Sequence, residues 1–174
     1  MSISSYIRTI PDFPKKGVQF RDVSTLFLNP VGWREVVDTL VARYKDSNIS
    51  TVAVIEARGF LVGGALAYQL GCGVLLLRKK GKLPGSTRGV DYVLEYGADR
   101  IEVHDDAITP GERILLIDDL IATGGTAEAA VTLLEESGAI VHELAFLVDL
   151  PYLGGAQKIR DKGYSVFAMC SFGE

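Results

Sequence analysis

Two adjacent acids followed closely by hydroxyls and glycines are the residues of this chain best suited to chemistry: Asp118 and Asp119, then Ala122-Thr123-Gly124-Gly125-Thr126. Glycine lets a backbone approach a bound anion closely, and the Thr123 and Thr126 hydroxyls can donate to its oxygens. If such a loop opens a helix, free backbone N–H groups and the positive end of the helix macrodipole add to the attraction. A phosphate monoester suits it. Carboxylates would repel that phosphate, so Asp118 and Asp119 must face something else, and vicinal ribose hydroxyls, which need acceptors, are the obvious candidate. The expected ligand is a sugar 5-phosphate. The chain has neither G-x-x-x-x-G-K-[ST] nor G-x-G-x-x-G after a strand, which removes the P-loop and the dinucleotide fingerprint.

The element that must hold these residues is Ile114 to Ile117, apolar on both faces like a parallel strand covered by helices on either side. The two acids fall at its carboxyl end. Ala127 to Ser137 then reads as a helix, with Ala127, Ala130, Val131 and Leu134 at helical spacing and Gly138 at C′. Earlier in the chain, Thr51 to Ile55 is a β-branched strand, Glu56-Ala57-Arg58-Gly59 a turn, and Phe60 to Leu70 a helix ending at Gly71. Val74 to Leu77 is another continuous apolar strand, read as buried, with a basic stretch at its carboxyl end. Asn29 before Pro30 is an N-cap signal, and Trp33, Val36, Val37, Leu40, Val41 and Tyr44 mark one face of the helix that follows.

Residues 10–22 carry turn signals rather than a period and read as a loop anchored by Phe13 and Phe20. Tyr92 to Tyr96 and Arg100 to His104, joined by Gly97-Ala98-Asp99, read as an antiparallel hairpin projecting from the sheet. Glu143 to Val148, a helix near Gln157 to Asp161, and Tyr164 to Met169 complete the alternation. It implies an α/β fold, a doubly wound parallel sheet flanked by helices, with ligands at the carboxyl ends of the strands. Glu56 to Gly59, Arg78 to Gly85 and Asp118 to Thr126 converge on that edge.

Length and composition narrow the class. With 174 residues, 48% hydrophobic and 23% charged, the chain suits one globular domain spanning 1–174. No apolar run is long enough to cross a bilayer, and the first residues lack the basic start and apolar core of a signal peptide. A cytoplasmic protein without a membrane partner is expected. Cys72 and Cys170 have no C-x-x-C spacing and read as small core residues; His104 and His142 lack ligand or triad companions and read as surface positions. A net charge of −4 and a pI near 5.2 argue against nucleic acid as a partner. Yet Arg78, Lys79, Lys80, Lys82 and Arg88 place five of eighteen Lys and Arg residues in one stretch, which suits a polyanionic ligand.

Ile114 to Thr126 resembles the phosphoribosyl diphosphate (PRPP) motif of type I phosphoribosyltransferases. Further segments resemble the adenine branch of that family: Phe13-Pro14, Gly17, Phe20-Arg21-Asp22, Glu56-Ala-Arg-Gly-Phe60, Arg78-Lys79, Gly81-Lys-Leu-Pro-Gly85 and Leu94-Glu-Tyr-Gly97. Lys16 stands where the family usually has proline. The resemblance implies transfer of phosphoribosyl from PRPP to N9 of adenine, giving AMP and pyrophosphate in purine salvage, with magnesium held mainly through PRPP and no direct protein metal site. It implies that PRPP is bound by Asp118, Asp119, Ala122, Thr123, Gly124, Gly125, Thr126, Ala57, Arg58, Arg78, Lys79 and Lys82. The turn at Ala57 and Arg58 would hold pyrophosphate by its backbone, often through a non-proline cis peptide.

Adenine would meet Gln19, Phe20, Arg21 and Leu120, under an N-terminal hood of residues 1–28. The catalytic residues implied are Glu95, on a hairpin lid over PRPP, and Arg58. A homodimer would carry Arg78 across its interface. The competing readings are a transferase for hypoxanthine or guanine, whose pattern supplies a lysine absent from Ala139 to Asp149, and a non-catalytic PRPP-binding regulator on the same fold.

Overall fold

The apolar runs assemble into a seven-stranded sheet with helices on both faces, and a separate two-stranded ribbon precedes it. The computed structural model describes residues 2–93 and 98–173. In chain order the elements are β1 (Arg8–Pro11), β2 (Gln19–Asp22), α1 (Ser24–Leu28), α2 (Pro30–Tyr44), β3 (Thr51–Ile55), α3 (Gly59–Leu70), β4 (Gly73–Lys79), β5 (Thr87–Val93), β6 (Ala98–His104), β7 (Arg113–Ile121), α4 (Gly125–Glu136), β8 (Ile140–Asp149), α5 (Gly155–Asp161) and β9 (Val166–Ser171). The sheet order is β5-β6-β4-β3-β7-β8-β9. The five strands from β4 to β9 in that order are parallel, while β5 and β6 join antiparallel at the β4 edge.

The two-sided apolar character of the central strands is used on both faces. On one face, Val36 and Leu40 of α2 and Val62 and Leu66 of α3 cover Val52, Val54, Leu115 and Ile117. On the other, Ala130 and Leu134 of α4 and Ile159 of α5 cover Ala53, Ile55, Leu116 and Phe146. Leu116 is fully buried, so truncation to alanine would cost about 2–5 kcal/mol through lost transfer energy and the cavity left behind. The Asn29 side chain accepts from the Val31 and Gly32 N–H groups, so the expected cap begins α2 with Pro30 in its first turn.

Four local expectations need correction. Residues 10–22 are not wholly loop: β1 pairs with β2, stapled by the Arg8–Asp22 ion pair and the Arg21 to Thr9 hydrogen bond. The partner strand begins at Arg8, before the stretch in which only turn signals stand out. Second, Ala98 and Asp99 are not in the turn but in β6, opposite Val93 and Tyr92. Strand pairing starts at Thr87 and fixes this register, overriding the turn tendency of Gly97-Ala98-Asp99. Ile101 and Val103, at the base of this hairpin, are buried in the core beneath α4. Third, β7 runs on through both acids to Ile121. Fourth, β4 is not covered on both faces: Val74 and Leu76 are 43% and 40% exposed, while Leu75 and Leu77 are buried.

Candidate active site

The β3–α3 turn, the ends of β4 and β7 and the first turn of α4 meet at the carboxyl edge of the sheet around a cavity of about 480 Å³. Its walls include Ala57 and Arg58 from the β3–α3 turn, Arg78 and Lys79 at the end of β4, and Asp118, Asp119 and Leu120 on β7. Thr126, in the first turn of α4, also reaches it. A smaller cavity of about 120 Å³ adjoins it and is lined by Ala122, Thr123, Gly124 and Gly125. Asp118, Leu120 and Thr126 line both, so the two spaces are compartments of one site.

The smaller compartment lies at the amino end of α4. Gly124 has a φ of +82°, a left-handed conformation that glycine adopts without a Cβ penalty. The loop is backed by Gly155 at the start of α5, whose N–H donates to the Ala122 carbonyl at 3.0 Å. A Cβ on Gly155 would lie 2.3 Å from that carbonyl oxygen and 2.6 Å from the Gly124 nitrogen, so the two backbones touch directly. These contacts shape a cup at the positive end of the α4 helix dipole, where an anion is electrostatically favoured.

The larger compartment is lined by opposing charges. Arg58 Nε donates to Asp119 Oδ2 at 2.5 Å, Arg78 Nε to Glu56 Oε2 at 2.8 Å, and Lys79 Nζ lies 3.1 Å from Asp99 Oδ2. Burial pushes Glu56 upward, but the Arg78 hydrogen bond and the Lys79 N–H outweigh it and hold the carboxyl below its ordinary value. Burial also pushes Arg58 downward; Asp119 overcomes this and raises the guanidinium. Asp118 differs from these. Lost hydration against the sheet, and next the Asp119 charge, hold this half-buried carboxyl well above the usual range, against the Asp119 N–H at 2.8 Å and the Arg58 charge. The peptide bond between Glu56 and Ala57 is cis, at the turn where the family pattern leads one to expect such a bond.

Several of the residues expected from sequence come together here, and others do not. Lys82 is exposed and is not among the lining residues. Gln19, Phe20 and Arg21 also lie outside the lining: Phe20 packs edge-on against Phe13 at 5.1 Å, and Arg21 donates to Thr9 and to the Gly173 carbonyl. Their ribbon still approaches the site, since Asp22 adds to the raised state of Arg58. Glu95 and the Leu94 to Gly97 segment lie outside the described residues.

Sequence reading placed Glu56 at this edge without assigning it a role, and missed Tyr92 and Asp99 as lining residues. Tyr92 and Asp99 face each other across the hairpin, with the Tyr92 hydroxyl 3.4 Å from Asp99 Oδ2 and also interacting with Thr126. The correct hairpin register would have revealed that pair. Among the described residues no group of three or more His, Cys, Asp or Glu side chains is arranged to hold a metal ion.

A small cavity at the amino end of α4 adjoins a larger one lined by three cations and the Asp118–Asp119 pair, and the chain belongs to the phosphoribosyl transferase domain family, which matches residues 31–168. Within that family it belongs to the adenine phosphoribosyltransferases. An adenine phosphoribosyltransferase from Methylobacillus flagellatus is 58% identical over 172 residues, covering 99% of this chain and 98% of the relative. The crystal structure of the Giardia lamblia enzyme complexed with 9-deazaadenine has a TM-score of 0.93 at 37% identity, covering 100% of this chain and 99% of that one. That of the Saccharomyces cerevisiae enzyme, complexed with an imino-altritol bisphosphate and adenine, has a TM-score of 0.89 at 35% identity, covering 97% and 96%.

Proposed function

We propose that this chain transfers the 5-phosphoribosyl group of PRPP to N9 of adenine, forming AMP and pyrophosphate in purine salvage. The observation that carries the reading is the two-compartment site: a phosphate cup and a cation-lined cavity sharing Asp118, Leu120 and Thr126. The 5-phosphate belongs in the cup, the ribose against Asp118 and Asp119, and the diphosphate against Arg58, Arg78, Lys79 and the Ala57 backbone. The C1–oxygen bond to pyrophosphate breaks with its electron pair leaving on oxygen, and the C1–N9 bond forms. An oxocarbenium-like ribose needs alignment and exclusion of water more than a protein nucleophile. The cations stabilise the charge that accumulates on the leaving group.

A divalent ion would arrive with PRPP, held mainly by its diphosphate and ribose hydroxyls, since magnesium prefers substrate phosphates and retained waters to an all-protein cage, and Asp118 and Asp119 would steady those hydroxyls. When bound, the ion would supply further charge neutralisation at the diphosphate. Leu120, at the junction of the compartments, offers an apolar surface to the purine ring, and residues 1–28, including Gln19, Phe20 and Arg21, would complete the base site as a hood. Glu95 is the candidate for taking up or orienting the imidazole proton of adenine. Glu95→Gln should lower kcat by about 10² to 10⁴ if it acts as a general base; a change confined to the KM for adenine would limit it to orientation.

A homodimer and a cytoplasmic location complete the proposal. No helix among the described residues is long and apolar enough to cross a membrane, and both cysteines are free thiols, as a reducing compartment would leave them. Leu61 and Tyr68 on α3 and Val74 and Leu76 on β4 are exposed, more apolar surface than this edge needs as a monomer. Arg78 continues the alternation of Val74 and Leu76, and in one chain its guanidinium stands 5.5 Å from the Phe60 ring centroid, paired with Glu56. A two-fold contact on this face would bring Arg78 to the neighbouring cavity. Subunit exchange between inactive Arg78→Ala and Asp118→Asn/Asp119→Asn dimers should then restore activity. If exchange occurs without recovery, Arg78 serves only the cavity of its own chain.

The reaction itself is tested by incubating the protein with PRPP, magnesium and each purine separately. AMP and pyrophosphate from adenine are expected. Preferential product from hypoxanthine or guanine would move the chain to another specificity, and no nucleotide from any base would leave PRPP binding alone.

A further inference from the structure

Every cation lining the larger compartment is paired with a carboxylate lining the same compartment: Arg58 with Asp119, Arg78 with Glu56, and Lys79 with Asp99. The first two pairs have further roles in the phosphoribosyl-transfer reading, Asp119 toward ribose and Glu56 in joining the β3–α3 turn to the end of β4 through Arg78 and the Lys79 N–H. Asp99 has none in the reaction as described. It belongs to β6, across from Tyr92, and reaches the cavity from the hairpin. Its carboxylate also accepts from the Arg100 N–H at 2.8 Å and from the Tyr92 hydroxyl at 3.4 Å, so it is held facing Lys79 rather than swinging freely.

We propose that Asp99 is a resident competitor of the diphosphate, occupying Lys79 in the ligand-free site and weakening retention of pyrophosphate and PRPP. The proposal rests on the phosphoribosyl-transfer reading above. An ammonium is a compact point charge on a flexible stem, and it can leave one oxygen for another without reorganising the fold. Once it turns to the diphosphate, Asp99 remains as a fixed negative charge beside the new anion. Like charges that share one cation in a partly enclosed cavity repel more than fully solvated charges, which water and salt screen. The leaving group is thereby held less tightly than the cations alone would hold it, which favours its release after transfer.

Asp99→Asn keeps the shape and the Arg100 N–H acceptor while removing the charge. Titration of inorganic pyrophosphate with magnesium into the wild-type protein comes first: if the wild type binds none, the reading of the site fails, and the proposal with it. If it binds, Asp99→Asn should bind pyrophosphate about three- to thirtyfold more tightly and show a lower KM for PRPP, with the KM for adenine unchanged. In a Lys79→Met background the same Asp99→Asn change should give a markedly smaller gain. Unchanged or weaker pyrophosphate binding by Asp99→Asn overturns the proposal, and so does a gain that persists in full without Lys79.

Discussion

Glu143, which is buried, and Asp118, which is half-buried, are carboxylates set against the central sheet at its opposite ends, yet their surroundings push them in opposite directions. Burial alone would raise Glu143. It is nevertheless held below its ordinary value, because Arg43 donates through Nε and Nη2 at 2.8 Å each and the Tyr44 hydroxyl donates at 2.6 Å. The Arg43 guanidinium also stacks 4.2 Å from the Phe167 ring centroid. That cluster is satisfied and complete. Asp118 is raised by the same burial and further by Asp119, while Arg58 is committed to Asp119. The acid with three side-chain donors ties α2 to β8; the one with a single backbone donor has oxygen lone pairs left over for a ligand.

The sharpest way to break this contrast is to neutralise both acids at the end of β7. Asp118→Asn/Asp119→Asn should lower kcat/KM for PRPP by about 10² to 10³, on the scale of removing positioned groups from a transition state, while the fold survives. Wild-type turnover at saturating magnesium and PRPP would detach the pair from ribose binding. The converse change, Glu143→Ala, should destabilise the protein by about 2–4 kcal/mol, because it leaves Arg43 and the buried Tyr44 hydroxyl without their acceptor. The range sits below that of a fully buried pair because the Arg43 side chain is 41% exposed. Denaturant unfolding measures the loss, and the KM for PRPP of the folded fraction should not move; if it does, the two clusters are coupled through β7 and β8.

The contrast was only half legible in the sequence. Apolar continuity revealed the strand bearing Asp118 and Asp119, the Thr123 to Thr126 spacing revealed the cup, and Asn29-Pro30 revealed the start of α2. These are local signals, carried by neighbours in the chain. The pairing of Arg58 with Asp119, 61 positions apart, and of Arg43 with Glu143, 100 apart, depends on which strands lie side by side, and no local period encodes it. Asp99 was hidden by a turn signal that pairing from Thr87 overrode, and the β1–β2 ribbon by reading residues 10–22 without Arg8. Gly155 gave no signal at all, since its role comes from contact with a loop some thirty positions earlier.

Stability against pH separates the two carboxylates most directly. Asp118 keeps its proton in the folded state at pH values where the unfolded chain has lost it, so stability falls as pH rises from the unfolded value near 3.8 through the raised folded one. Glu143 does the opposite: its contribution is present above the unfolded value near 4.5 and is lost as pH falls through the depressed folded one. Unfolding free energies of wild type, Asp118→Asn and Glu143→Gln should be measured from pH 4 to pH 8 without ligand. Asp118→Asn should gain on the wild type as pH rises, while Glu143→Gln should fall further behind over the lower part of that range and then stay behind. A loss of stability for Asp118→Asn that grows toward pH 8 would show that Asp118 is already satisfied in the free protein, contradicting its role as an acid waiting for ribose.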